Sequence, residues 1–141
     1  MRIMLLSDVA DKALWDYLDR RLLEGIDLIL SCGDLRREYL EFLVTMLNVP
    51  LVYVRGNHDG VYEDAPPEGC IDADGKVVEV KCPETGGKNG YSQGEEGLRT
   101  VRIVGLGGSM RYRGGAEDMY TEQEMALRVM KTGLMLARDS M

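Results

Sequence analysis

Polar side chains that could bind a cation follow three apolar runs of the sequence. The runs are RIMLL (2–6), DLILSC (27–32) and PLVYVR (50–55). Asp8 follows the first run, Asp34 the second and Asn57 the third, and His58, the single histidine of the chain, comes directly after Asn57. Clustered carboxylates repel one another unless a cation neutralises them. If these groups converge, they therefore predict a bound metal ion.

Parallel strands would bring these side chains together. Enough chain lies between successive runs for a helix and a return strand. In a parallel α/β sheet, the loops that leave the carboxyl ends of neighbouring strands open at one edge, where ligands bind. Gly33 and Gly56 precede the polar groups and allow tight bends there. An aspartate at a strand-to-helix junction is often a helix N-cap, and this alternative holds for each position taken alone. Three such junctions in succession favour a shared site.

Oxygen atoms dominate the donors available to this site. Asp8, Asp34 and Asn57 are the expected ligands, and Asp11 and Glu38 are additional candidates, although Asp11 is equally suited to capping a helix. Oxygen-rich sites favour Mg²⁺, Mn²⁺ or Ca²⁺ over Zn²⁺. We therefore expect one or two divalent ions, with manganese or magnesium favoured over zinc.

The elements that would position these residues alternate along the first third of the chain. Amphipathic patterns predict helices over 12–24 and 37–47, which connect the three apolar runs. Strands and helices in alternation, with short connections, predict an α/β fold with parallel strands.

The remainder of the chain has a different organisation. The predicted features are a hairpin around Asp74-Gly75, a flexible glycine-rich loop over 81–98, a strand over 99–108 that ends in a glycine turn, and a final helix opened by the capping box Thr121-x-x-Glu124. The methionine-rich apolar face of the final helix is expected to lie in the core or in an interface. No internal repeat is present, so we expect a single domain over 1–141.

Composition limits the partners and the location of the protein. A net charge of −7 argues against nucleic-acid binding, because that relies on basic surface. Arg111, within MRYRGG, is the best candidate for a local phosphate contact, and a solvated loop arginine is the alternative. No apolar stretch approaches the roughly 20 residues that a membrane helix needs. Three cysteines without CxxC spacing predict reduced thiols and a cytoplasmic location.

Two of these motifs carry a family resemblance. GDLRRE followed by VRGNHD resembles the GD-xx-D/N and GNH-D/E motifs of calcineurin-like metallophosphoesterases, and SDVAD falls where that family has D-x-H. The resemblance implies a sandwich of two mixed β-sheets flanked by helices, with metal ions at the strand-end edge. It also implies that Asp8 binds the first metal, that Asp34 bridges both ions and that Asn57 binds the second.

The resemblance further implies an activity. The family's reaction would be hydrolysis of a phosphomonoester or phosphodiester, of a small molecule or nucleotide, by in-line attack of a metal-activated water. His58 would lie beside the phosphate and stabilise its charge or protonate the leaving oxygen. Histidine suits that role because imidazole titrates near neutral pH.

The chain departs from the family pattern at several positions. Ala10 stands where D-x-H has its histidine, and no histidine follows His58. Glu38 follows GD where the family has Asp or Asn, and its match to that position depends on how the spacing is aligned. We therefore expect a degenerate member of the family or one that lacks its C-terminal strands. Loss of those strands would expose apolar surface, which a homodimer would cover. The alternative function is a catalytically impaired or inactive binding module on the same fold.

A glycine-rich stretch, VGLGGSM (104–110), allows two further interpretations. As a nucleotide-phosphate loop it would need a third glycine where Met110 stands, and a helix directly after it. A glycine-rich turn at the rim of the main site fits the sequence better.

Overall fold

A parallel sheet forms the centre of the protein. The computed structural model describes residues 1–83, 97–112, 114 and 117–139. Within them, four strands pair side by side in the order β1-β2-β3-β4, and every pairing is parallel. The strands are β1 (Ile3–Leu6), β2 (Leu28–Ser31), β3 (Leu51–Tyr53) and β4 (Ile71–Asp72). The first three correspond to the three apolar runs of the sequence.

Helices alternate with the first three strands, and the later strands follow one another before a final helix. The helices are α1 (Lys12–Trp15), α2 (Arg37–Leu47) and α3 (Glu122–Asp139), with short 3-10 helices at Arg20–Leu23 and Gly60–Tyr62. The remaining strands are β5 (Val77–Pro83), β6 (Leu98–Val104), β7 (Ser109–Met110) and β8 (Met119–Tyr120). β5 and β6 pair antiparallel, whereas β7 and β8 pair parallel.

At β2 and β3 the parallel sheet is covered on both faces. On one face, Leu40 and Leu43 of α2 are fully buried in an apolar cluster with Ile29 and Leu51 of the sheet. On the other face, a second cluster joins strand residues to β5, and its buried members are Leu28, Val52, Ala73, Val80 and Cys82. Successive strand residues point to opposite faces, so each buried strand needs apolar side chains throughout. The prediction of mixed sheets flanked by helices is therefore confirmed.

The helix predicted over 12–24 is wrong in its extent. The α-helix ends at Trp15, and a separate 3-10 helix begins at Arg20. Asp19 explains the interruption, because its Oδ1 accepts a hydrogen bond from the backbone N–H of Arg21 at 3.0 Å and so starts a new helical turn. The helix predicted over 37–47 is confirmed as α2.

The hairpin predicted around Asp74-Gly75 is also wrong. The chain does turn there, with a φ of 64° at Gly75, but β4 pairs with β3 and β5 pairs with β6. Asp74 instead forms an isolated bridge with Gly105, and the N–H of Gly75 donates to the Gly105 carbonyl at 2.9 Å. The turn therefore carries the chain from one sheet to the other.

One further sequence prediction needs its limits adjusted. Residues 81–83 belong to β5 and residue 98 belongs to β6, so the loop predicted over 81–98 is shorter at both ends. Its residues 84–96 lie outside the described residues. The strand predicted over 99–108 ends at Val104, and the glycines of the predicted turn follow it.

Apolar side chains remain exposed on two elements. On the edge strand β1, Leu5 is 68% exposed, and on α3 Leu127, Met130 and Leu134 are 65%, 64% and 67% exposed. These values agree with the expectation of exposed apolar surface. The sequence allowed the apolar face of α3 to lie in the core or in an interface, and its exposure argues against the core. The capping box is confirmed, because Glu124 Oε2 accepts from the Thr121 backbone N–H at 2.7 Å. Among the described helices, none combines the length and apolar character that crossing a membrane requires.

Candidate metal and phosphate site

The loops that follow β1, β2 and β3 meet at the carboxyl edge of the parallel sheet. The backbone N–H of Asp8 donates to the Gly33 carbonyl at 3.1 Å, which joins the first loop to the second. The backbone N–H of His58 donates to Oδ1 of Asp34 at 2.9 Å, which joins the third loop to the second. The structure thus places the loops of Asp8, Asp34 and His58 in direct contact.

Two of the loop aspartates have an unusual backbone conformation. Asp8 has a φ of 64° and Asp34 a φ of 59°, which places both in the left-handed region. Residues other than glycine rarely adopt this backbone conformation, although aspartate tolerates it better than most. Strained backbone of this kind is concentrated at functional sites, because the surrounding structure must hold it in place.

Glycine at positions 33 and 56 allows the second and third loops to approach closely. A Cβ on Gly33 would lie 2.6 Å from the backbone nitrogen of Gly56, and a Cβ on Gly56 would overlap the Asp34 carboxylate. Both contacts are closer than a Cβ atom allows, so only glycine fits at these two positions. The sequence prediction of tight bends at these positions is consistent with this packing.

The buried side chain of Asp59 connects the same two loops. Its Oδ2 accepts from the backbone N–H of Asp34 at 2.7 Å and from that of Gly56 at 2.8 Å. Burial raises the pKa of the Asp59 carboxyl, although the two backbone hydrogen bonds act in the opposite direction. Sequence reasoning gave Asp59 no role of its own. Its position next to the GNH residues was visible in the sequence, but its burial was not.

The two additional candidate ligands are placed differently from one another. Asp11 is the N-cap of α1, and its Oδ1 accepts from the backbone N–H of Ala13 at 2.8 Å. This agrees with the capping alternative for Asp11. Glu38 lies exposed in the first turn of α2. Asp8 is exposed and accepts a hydrogen bond from the Ser7 hydroxyl.

Residues that follow β7 approach the third loop. Asn57 Nδ2 donates to the hydroxyl of Tyr112 at 3.3 Å. Arg111 turns the other way and pairs with Glu124, at 2.9 Å between Nη2 and Oε2, and it also donates to the Met119 carbonyl. An Arg111 contact to phosphate would therefore require this ion pair to open.

The donors at the site suit a hard cation. Asp8 and Asp34 offer carboxylate oxygens and Asn57 offers an amide oxygen, which is the donor chemistry of Mg²⁺ and Mn²⁺. Within residues 1–83, 97–112, 114 and 117–139, however, no three His, Cys, Asp or Glu side chains form a group that could hold a metal. The donor types therefore fit a divalent ion, with fewer carboxylates than a tightly held pair would use.

Comparison with known proteins agrees with this geometry. The family model described as calcineurin-like phosphoesterase matches residues 1–118, which include all three strand-end loops and the segment up to Asp118. No curated protein and no solved structure matches the chain. Since the matched region covers most of the 141 residues, the chain belongs to the calcineurin-like phosphoesterase family.

Proposed function

We propose that this protein is a divalent-metal-dependent phosphoesterase that hydrolyses a phosphomonoester or phosphodiester of a small molecule or nucleotide. Membership of the family supports phosphoesterase chemistry in general. The observation that carries the specific proposal is the pair of left-handed aspartates, Asp8 and Asp34, on loops that contact each other beside His58. Backbone held in this region by the loops around it is typical of functional sites, which supports a function at this edge.

Oxygen donors would hold the cation. Asp8, Asp34 and Asn57 are the ligands of this proposal, for one ion or two, with manganese or magnesium favoured over zinc by the oxygen donors. A bound divalent ion supplies an activated water at neutral pH and offsets negative charge on the phosphoryl group. One oxygen of Asp34 already accepts the His58 N–H, so this hydrogen bond holds the carboxylate in a defined orientation.

The imidazole of His58 would act on the substrate. Its backbone N–H is held by Asp34 while the side chain is exposed at the open edge of the sheet. From there it can donate a proton to the leaving oxygen or a hydrogen bond to the phosphate. The His58 side chain is therefore not needed for the loop structure and is available for chemistry.

A binding module is the second candidate function. Ala10 supplies no donor where the family has histidine, and the described residues contain no group of three metal-binding side chains. On this alternative, the fold would bind a phosphoester ligand or a partner without turning it over. The free thiols of Cys32, Cys70 and Cys82 support the proposal that either function operates in the reducing cytoplasm.

Hydrolysis of nitrophenyl phosphate and bis(nitrophenyl) phosphate, with Mn²⁺ or Mg²⁺ and after chelation, tests the proposal. We expect metal-dependent turnover that Asp34→Asn abolishes. His58→Ala should lower turnover by about 10² to 10⁴ with Mn²⁺ affinity unchanged, because only proton transfer is lost. Asp64→Asn, at an exposed position outside the loops, is the matched control. Absence of turnover by the wild-type protein with either metal would favour the binding module.

A further inference from the structure

The glycine-rich segment 105–108 packs against the third loop of the site. The N–H of Gly108 donates to the Arg55 carbonyl at 2.7 Å, and the N–H of Gly107 donates to Oδ1 of Asp74 at 2.7 Å. A Cβ on Gly107 would overlap the Arg55 carbonyl, so glycine is required for this approach. The segment is thus fixed to the residue that precedes the Gly56-Asn57 bend.

The residues after this segment are held in place by β8. The N–H of Ser109 donates to the Asp118 carbonyl at 2.9 Å, and the N–H of Arg111 donates to the Tyr120 carbonyl at 3.0 Å. Arg55 Nη2 lies 3.2 Å from Oδ1 of Asp118, which connects this unit again to the third loop. The hydrogen bond from Gly108 to Arg55 and the ion pair between Arg55 and Asp118 therefore hold the chain beside the third loop before it reaches Tyr112.

At that point the Tyr112 hydroxyl meets the Asn57 side chain, at 3.3 Å from Nδ2. We propose that Tyr112 is a positioning residue that engages the amino end of the Asn57 amide and so reserves the Asn57 carbonyl oxygen for the divalent cation. This inference rests on the proposed function. On this inference, the role of the segment VGLGGSMRY is to place Tyr112 next to the metal site.

The physical reason is the asymmetry of an amide. Asparagine has a donor end and an acceptor end of nearly equal size, and rotation by half a turn exchanges them. Only the oxygen can bind a cation, so an amide that is free to rotate loses part of its affinity. Partners that orient a ligand typically contribute about 10- to 100-fold in metal affinity.

Titration of the full chain with Mn²⁺, followed by electron paramagnetic resonance of the free ion, tests the inference. We expect Tyr112→Phe to weaken Mn²⁺ binding by about tenfold or more, because the hydroxyl that engages Nδ2 is removed and the ring is kept. Tyr17→Phe is the matched control, since the Tyr17 side chain is 77% exposed and belongs to none of the site loops.

The same substitution in an Asn57→Asp background separates orientation from general structure. The two oxygens of an aspartate are equivalent, so this side chain needs no partner to choose between its ends. We therefore expect Tyr112→Phe to leave the Mn²⁺ affinity of Asn57→Asp unchanged within about twofold. A purely structural role of Tyr112 would weaken Mn²⁺ binding equally in both backgrounds.

The outcomes are distinct. If wild-type protein binds Mn²⁺ and Tyr112→Phe binds it equally well, the role of Tyr112 is refuted and the proposed function stands. Equal losses in both backgrounds also overturn the positioning role. If wild-type protein binds no Mn²⁺, the proposed function fails, and this inference fails with it.

Discussion

Oδ2 of Asp59 lies 2.7 Å from the backbone nitrogen of Asp34, so a buried carboxylate holds the main chain of a candidate metal ligand. The same oxygen accepts from Gly56, 2.8 Å away. Asp59 thereby connects the loops after β2 and β3 at the point where Asp34 adopts its left-handed conformation. The arrangement separates two tasks, since one aspartate fixes the backbone and another faces the site.

Replacement of Asp59 tests this connection. Asp59→Ala leaves two backbone N–H groups without their acceptor at a buried place, and each such group costs about 1 to 3 kcal/mol. We expect the free energy of unfolding to fall by about 2 to 6 kcal/mol in urea denaturation. Asp64→Ala, at an exposed position, is the control and should change it by less than about 0.5 kcal/mol. Equal midpoints for the two variants would contradict the role of Asp59.

The left-handed backbone of Asp8 leads to a second prediction. Asp8→Gly and Asp8→Ala both remove the carboxylate, but glycine tolerates a φ of 64° and alanine does not. We expect Asp8→Gly to be about 1 kcal/mol more stable than Asp8→Ala in urea denaturation. Both variants should lose Mn²⁺ affinity to the same extent, because the side chain alone supplies the ligand.

Asn48 provides the matched pair for Asp8. It has a φ of 51° at the C-cap of α2, away from the site loops. Asn48→Gly and Asn48→Ala should show the same order of stability, with Mn²⁺ affinity retained in both. If Asp8→Ala were as stable as Asp8→Gly, the strain assigned to this position would be refuted.

The sequence was sufficient for the features that depend on periodicity. The apolar runs identified β1, β2 and β3, and the rule that parallel strands open at one edge brought Asp8, Asp34 and His58 together. Features that depend on a single side-chain hydrogen bond were not predictable in this way. Asp19 ends the helical pattern over 12–24 through one bond to Arg21, which no hydropathy period records.

Long-range pairings were also beyond the sequence. The turn at Asp74-Gly75 has the composition of a hairpin, yet its partner is Gly105, some thirty residues along the chain. The contact between Asn57 and Tyr112 depends on that same placement of the glycine-rich segment. A turn signal fixes where the chain bends, and the packing of the two sheets decides what pairs across the bend.

Cysteine reactivity gives a third prediction. Cys32 is exposed, whereas burial raises the pKa of the Cys70 thiol to about 12 and that of the buried Cys82 thiol above its usual value. At pH 8, a thiol with a pKa of about 12 is ionised to about one part in 10⁴, and the thiolate is the reactive form. We expect iodoacetamide to alkylate Cys32 first, with mass spectrometry of the peptides as the measurement.

The dependence of this labelling on pH follows from the direction of the shift. Because the pKa of Cys70 is raised, its thiolate fraction increases about tenfold for each unit of pH between 7 and 9. Labelling of Cys70 should increase accordingly, while urea-unfolded protein should label at all three cysteines. Labelling of Cys70 at the rate of Cys32 in the folded protein would contradict the raised pKa of the Cys70 thiol.

The last prediction concerns the exposed apolar face of α3. Leu127, Met130 and Leu134 are each about two-thirds exposed and recur at the spacing of one helical face. The homodimer expected from the sequence would cover them, since two copies of one apolar helix face can pair about a two-fold axis. We expect wild-type protein to sediment at double the 15.8 kDa mass of the chain, and Leu134→Glu to sediment as a monomer, because the charge would be buried in the interface. Leu22→Glu, at an exposed position outside α3, should remain dimeric. A wild-type monomer at micromolar concentration would refute the dimer. A dimer that survives Leu134→Glu would have its interface elsewhere, and the exposed face of β1 would then be the next surface to test.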